Sequence, residues 1–162
     1  MSKSFYATDP NTHQSENTWF TPIDFKVAQF DLDPCTVSYR PHDMASNSIE
    51  HDKGFCGLSI KWKGDVFLNP PYGKEITPFL EKFTKHKKGV CLIFARMGNK
   101  DVQRLVKSGA YFYMLRKRVR FIDKKGVTRA NAGADSCLVF YDKKWFSVIS
   151  EKFEGVLMRS GE

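Results

Sequence analysis

No apolar run in this chain approaches the roughly 18 to 20 residues needed to cross a bilayer, which excludes a helical membrane span. No CxxC pair occurs among Cys35, Cys56, Cys91 and Cys137, and no histidine stands at metal-ligand spacing from them. A zinc site and a disulfide framework are therefore not indicated, and four reduced cysteines are expected. The opening segment, MSKSFYATDPNTHQSENTWF, lacks the uninterrupted apolar core of a signal peptide, so a cytoplasmic location is expected. Internal repeats and low-complexity segments are also missing. Acidic residues are scarce where basic ones are dense: from Lys82 to Arg129 the carboxylates are Asp101 and Asp123 alone, against fifteen lysines and arginines.

What is present suits one folded domain. The 162 residues, 41% apolar and with 14 phenylalanines, are enough to bury a core and too few for two ordinary ones. The net charge of +8, concentrated in the C-terminal half, favours a polyanionic partner, because each neutralised phosphate releases counterions. A merely soluble basic surface is the alternative.

Residues 1–17 are polar and rich in turn signals and read as a flexible N-terminal arm, with residues 18–162 as a single domain. Thr21-Pro22 resembles a helix N-cap followed by proline at the first helical position. Phe30-Asp31-Leu32-Asp33 reads as a brief strand stopped by Pro34, and residues 35 to about 60 read as mostly loop. Val66-Phe67-Leu68 is a compact buried strand. The apolar positions Ile76, Phe79, Leu80 and Phe83 then predict a helix from 76 to 87. Residues 89–95 form a continuous apolar run of the kind found in sheets covered on both faces, and a helix follows from Asn99 to Ser108, stopped at Gly109. Further strands are expected at about 110–115, 118–122, 137–141 and 145–149. The order points to an α/β fold on a mixed, mostly parallel sheet.

The segment Asp65-Val-Phe-Leu-Asn-Pro-Pro-Tyr-Gly73 is the most informative. A strand that ends in Asn69-Pro70-Pro71-Tyr72 places two residues without N–H donors in the loop at a carboxyl edge, where open α/β sheets bind ligands. A chance Asn-Pro-Pro-Tyr in a chain this long is on the order of one in a thousand, given ordinary residue usage. The bland reading is a rigid proline turn. The chemical reading starts from an exocyclic amine on a planar ring, whose lone pair is delocalised and therefore a poor nucleophile. An Asn oxygen and a proline carbonyl, both accepting from the amine's N–H bonds, favour a pyramidal nitrogen with its lone pair exposed. Tyr72 offers an aromatic face on which a flipped base can stack, worth roughly 1 to 3 kcal/mol. No strong general base is required, since the proton can leave after the nitrogen has been alkylated.

Four segments in order, TWFTP at 18–22, FDLDPC at 30–35, GLSIKWKGDVFLNPPYG at 57–73, and RVRFID with GADSCLVFY toward the end, resemble the phage-type N6-adenine DNA methyltransferases. The likeness spans about residues 18–141. It implies a small Rossmann-like methyltransferase fold, reduced in size, that takes S-adenosylmethionine and methylates a flipped adenine in DNA, expected to be double-stranded. For a phage or prophage protein the setting is the bacterial cytoplasm. By position, the resemblance makes Asn69, Pro70, Pro71 and Tyr72 the catalytic segment, and places Thr21, Pro22, Asp33, Pro34 and Asn69 at the cofactor. Asp33 would pair with the cofactor's ammonium group. The sequence departs from the general pattern in having no glycine-rich loop after Asp33 and no evident acidic residue ending a second strand. Asp43, Glu50 and Asp52 are equal candidates to hold the ribose.

Arg116, Arg118 and Arg120 alternate and would share one strand face; with Lys124, Lys125 and Arg129 they form the expected DNA surface, a charged strand edge being the alternative. Residues 126–133 read as a loop. Trp62 and Trp145 are assigned to packing. Two other functions fit the same motif: methylation of RNA adenine or of a protein glutamine amide, and an inactive methyltransferase-like module that binds nucleic acid.

Overall fold

A computed structural model describes residues 19–20, 29–36, 43–50, 53–71, 73–122, 128–131 and 134–159, with backbone alone at 19–20, 120–122 and 128–131. In chain order the elements are β1 (Trp19–Phe20), β2 (Phe30–Thr36), β3 (Ala45–Glu50), β4 (Val66–Leu68), α1 (Ile76–His86), β5 (Gly89–Phe94), α2 (Lys100–Lys107), β6 (Tyr111–Leu115), β7 (Arg120–Ile122), β8 (Thr128–Asn131), β9 (Ser136–Phe140), α3 (Lys144–Ser150) and β10 (Gly155–Arg159). Seven strands form one mixed sheet in the order β10-β6-β9-β5-β4-β2-β3, and β1, β7 and β8 form a second, three-stranded one. The pairs β3·β2, β2·β4 and β4·β5 are parallel, while β9 runs antiparallel to both β5 and β6, and β10 to β6.

Helices cover both faces, which explains why β4, β5 and β9 are apolar without alternation. On one face Val66, Leu68, Cys91, Ile93 and Val139 pack beneath Phe79, Leu80 and Phe83 of α1 and Val102 and Leu105 of α2. On the other, Phe67, Val90, Leu92, Leu138 and Phe140 meet Trp145 and Ile149 of α3. Each such side chain taken from water contributes about 1.5 to 3 kcal/mol before the entropy of ordering. Between α1 and β5 the chain turns through Lys87 (φ 59°) and Gly89 (φ 106°). A Cβ at Gly89 would lie 1.9 Å from the Val66 carbonyl oxygen, so this turn requires glycine.

Several expectations are corrected. Residues 145–149 are helical: Trp145 and Ile149, four apart, both bury on the sheet, and the Asp142 side chain accepts from Lys144 N at 2.9 Å where the helix starts. In a five-residue run rich in aromatic and β-branched residues, periods of two and 3.6 are hard to separate. Pro34 does not stop β2, which runs on to Thr36; the register with β3 shifts between Asp33 and Thr36, an irregularity of the kind that admits proline inside a sheet. The stretch expected to be mostly loop contains β3, parallel to β2. The loop expected at 126–133 contains β8, and β10 closes the far edge of the main sheet. Among the described residues no helix is long and apolar enough to cross a membrane. The arm assigned to residues 1–17 lies outside the described residues.

Candidate functional site

From β2 the chain goes to β3 at the sheet's edge, then returns to lay β4 against the other side of β2. The direction of sheet growth reverses between β2 and β4, and the crevice beyond the carboxyl ends of such a strand pair is where open α/β sheets hold ligands. Among the described residues the two strands share the register pair Leu32↔Val66, with Asp33, Pro34 and Cys35 lying beyond it on β2 and Asn69 and Pro70 beyond β4. The structure thus brings Asp33-Pro34 and Asn69-Pro70-Pro71 to one end of two adjacent strands, and all five residues are buried.

Buried polarity is concentrated there. Among the described residues the buried polar side chains are Asp33, Thr36, Asn69, Asp101 and Ser136. Asp33 and Thr36 lie toward the end of β2, Asn69 follows β4, Asp101 is in the first turn of α2 after β5, and Ser136 pairs with Phe94 at the end of β5. All five therefore mark the carboxyl edge. Asp101 has internal partners, accepting from the Thr77 hydroxyl at 2.9 Å and from Arg104 at 3.2 Å, which ties α2 to α1. The Asp33 carboxylate accepts from Cys35 N at 3.2 Å. Among the described residues the Thr36 and Ser136 hydroxyls, like Trp145 Nε1 on α3, have no hydrogen-bond partner, a cost that native interiors normally avoid.

The segment before β4 is clamped onto this edge. A Cβ at Gly57 would fall 1.9 Å from the Pro34 carbonyl oxygen, so the Gly57 backbone lies directly on Pro34. Trp62 Nε1 donates to Gly57 O at 2.8 Å, and Lys82 of α1 donates to the carbonyls of Leu58 and Ile60 while its ammonium sits 5.2 Å from the Trp62 ring centroid. Burial lowers the pKa of that lysine. Trp62 and Trp145 are both packing residues, as expected. Burial raises the Cys35 thiol well above its usual range, and Asp33, Cys56 and Glu75 add to the shift. These groups share one neighbourhood, and Cys35 is a neutral, inert thiol.

The expected arginine row is corrected. Strand β7 starts only at Arg120, so Arg116 and Arg118 lie in the connection from β6. Carboxylates do compensate them: Arg116 pairs with Glu154 at 3.3 Å and Arg118 with Asp135 at 3.2 Å. Arg120 and Arg129 are placed by backbone in β7 and β8, whereas Thr21, Pro22, Tyr72, Lys124 and Lys125 lie outside the described residues.

Sequence reasoning missed Thr36, Ser136 and the position of Glu50. The last residue of β3 is Glu50, whose register partner is Thr36, so an acidic residue does end the second parallel strand. Of the other two ribose candidates, Asp43 precedes β3 and Asp52 lies outside the described residues. No signal in Ala-Ser-Asn-Ser-Ile-Glu announced a strand, since only two of its six residues are apolar. Among the described residues no cluster of histidine, cysteine, aspartate or glutamate is arranged to hold a metal ion. Comparison of the chain with protein-family models, with curated proteins and with solved structures gives no match.

Proposed function

We propose that this protein is a Rossmann-like methyltransferase that transfers a methyl group from S-adenosylmethionine to the N6 amine of adenine in DNA. The observation that carries the reading is the position of Asn69-Pro70-Pro71, buried at the carboxyl end of β4 where the sheet reverses its growth, beside buried Asp33 on β2. An ordinary proline turn has no reason to collect buried carboxylate, amide and hydroxyl groups around it.

The residues present suit the cofactor. Asp33 supplies a buried carboxylate for the ammonium group, Thr36 a buried hydroxyl with no partner among the described residues, and Glu50, at the end of β3, a carboxylate of the kind that holds ribose hydroxyls. When bound, S-adenosylmethionine supplies the electrophilic methyl group. The work of the chain is then to present the amine: the Asn69 side-chain oxygen and the Pro70 carbonyl accept its two N–H bonds, and the prolines keep those acceptors from relaxing toward water. Tyr72, next in sequence, supplies the stacking face. The amine's proton leaves to solvent once the nitrogen carries a positive charge, so Asn69 acts as an acceptor and no side chain acts as a base.

DNA is favoured over a glutamine amide because the C-terminal half is basic, and a protein substrate need not be polyanionic. The test is incubation with methyl-labelled cofactor and DNA, RNA or protein, followed by identification of the labelled product. N6-methyladenine from DNA is the expected outcome. Label confined to RNA or to glutamine overturns the substrate, and absence of cofactor binding in calorimetry leaves the inactive-module reading.

A further inference from the structure

Next to the proposed catalytic segment, the loop from Ala95 to Asn99 connects β5 to α2 on the same carboxyl edge. It lies beside the loop after β4: the helices that leave the two loops are joined by the Thr77–Asp101 hydrogen bond at 2.9 Å. The loop is firmly built. Arg96 N donates to Phe94 O at 2.8 Å, Asn99 N to Arg96 O at 3.0 Å, and the Asn99 side chain caps α2 by accepting from Asp101 N and Val102 N. Ala95 N donates to Asp135 O at 2.9 Å, fixing its other flank to the segment before β9.

At the tip of this rigid loop Met97 is 39% exposed, one of four large apolar side chains exposed among the described residues. Gly98, beside it, has open space on its Cβ side. Two cations flank them. Arg96 is exposed, its guanidinium 5.2 Å from the Phe94 ring centroid, and Lys100 is exposed at the start of α2; among the described residues neither has a carboxylate partner. The neighbouring loop carries Lys74 and Glu75, both exposed, whose charges offset each other. By contrast Arg116 and Arg118 are each answered by a carboxylate. An exposed apolar tip between two unpaired cations fits a nucleic-acid duplex: cations hold phosphates, and an apolar side chain wedges into a base step or fills the gap left by an extruded base.

We infer that the 95–100 loop is the duplex-opening contact, with Arg96 and Lys100 on the phosphates around the target and Met97 inserted into the base stack. This rests on the DNA methyltransferase reading for its target but is tested separately from it. In the first arm, Arg96→Gln/Lys100→Gln is compared with the wild-type chain for binding to a plain DNA duplex, without cofactor, over a range of salt. The dependence of log K on log salt should flatten by roughly 1.8, which is 0.9 for each of two lost phosphate contacts. An unchanged slope overturns the surface. In the second arm, Met97→Ala is assayed for methyl transfer to duplex DNA and to the same DNA as separated strands. Loss of about tenfold on the duplex with less than twofold on single strands is expected, because only the duplex must be opened. Equal loss on both, or none, overturns the wedge. Met97 is exposed, so the variant's melting temperature should match the wild type and certify the fold. If the wild-type chain methylates neither DNA, the enzymatic reading and the wedge fall together, while the salt slope still judges the phosphate contacts.

Discussion

Replacing Gly57 with alanine is a small change at the contact that packs the segment before β4 onto β2. The added Cβ would stand 1.9 Å from the Pro34 carbonyl oxygen, 2.8 Å from its carbonyl carbon and 2.9 Å from Pro34 Cβ. Carbon and oxygen in contact need about 3.2 Å or more, so Pro34 and residue 57 must separate by about 1 Å. Neither partner can turn away, since the atoms met belong to backbone and a proline ring. The Gly57 carbonyl is also held by Trp62 Nε1 at 2.8 Å. Overpacking of this kind costs about 1 to 3 kcal/mol, which at about 2 to 4 °C per kcal/mol for a chain of this size lowers the melting temperature by roughly 2 to 12 °C. The functional cost should be the larger, because a displacement of about 1 Å at a positioning element can cost 10²-fold. Asp33 precedes Pro34, so the cofactor should be the ligand affected. Thermal melting by circular dichroism and cofactor titration by calorimetry read the two effects, with Gly98→Ala, which meets nothing within 4 Å, as the control. A Gly57→Ala protein that melts with the wild type and binds cofactor normally would refute both the contact and its role.

Asn69→Ala should lower methyl transfer by about 10²-fold or more with cofactor affinity little changed, since it removes one preorganised acceptor of the amine; near-normal turnover would sink the catalytic assignment. Asp33→Asn should weaken cofactor binding more than DNA binding, and calorimetry with unaltered affinity would move the ammonium site elsewhere. Stability should fall in alkali. Burial raises the Cys35, Cys91 and Tyr141 pKa values and pushes Cys137 from 9.0 up to about 12. Raised folded-state values mean that the contribution is whole below pH 9 and is lost as pH climbs toward 12, by about 1.4 kcal/mol per pH unit for each such thiol. Urea midpoints that stay level from pH 8 to 10.5 would contradict this burial. At neutral pH the partly exposed Cys56 should react with a thiol reagent well before Cys35, Cys91 and Cys137, which a mass-resolved time course reads directly.

The elements that were legible in the sequence are those whose burial leaves a pattern. Helix α1 was expected at 76–87 and runs from Ile76 to His86, because Ile76, Phe79, Leu80 and Phe83 repeat at the helical period. Helix α2 was announced by Asn99 and closed by Gly109, and the structure shows the Asn99 side chain accepting from two backbone amides. Strands β4 and β5 were visible as short apolar runs because helices cover both of their faces. Strand β3 was invisible for the opposite reason: it is an edge strand whose side chains are mostly polar and partly exposed, so no apolar pattern marks it. The site divides in the same way. Asp33 and Asn69 stood out as residues in motifs, whereas Thr36, Ser136 and Glu50 acquire meaning only from strand order and register.

Strand order also decides how the basic charge should be understood. A count of lysines and arginines treats Arg116 and Arg96 alike, but the first faces Glu154 at 3.3 Å, whereas the second lies over the Phe94 ring with no carboxylate partner among the described residues. An exposed pair of the first kind contributes little to stability, and its carboxylate cancels much of the field that a phosphate would feel. Neutralising Arg116 should therefore leave DNA affinity nearly unchanged, while neutralising Arg96 should not. The difference follows from topology: β6 leads its loop toward Glu154 ahead of β10, whereas β5 leads its loop to the carboxyl edge, where Asp101 is bonded to Thr77 and Asp135 is paired with Arg118. On the proposed reading, the net charge of +8 would give the attraction to DNA its sign, and the fold would decide which few cations deliver it to the flipped base.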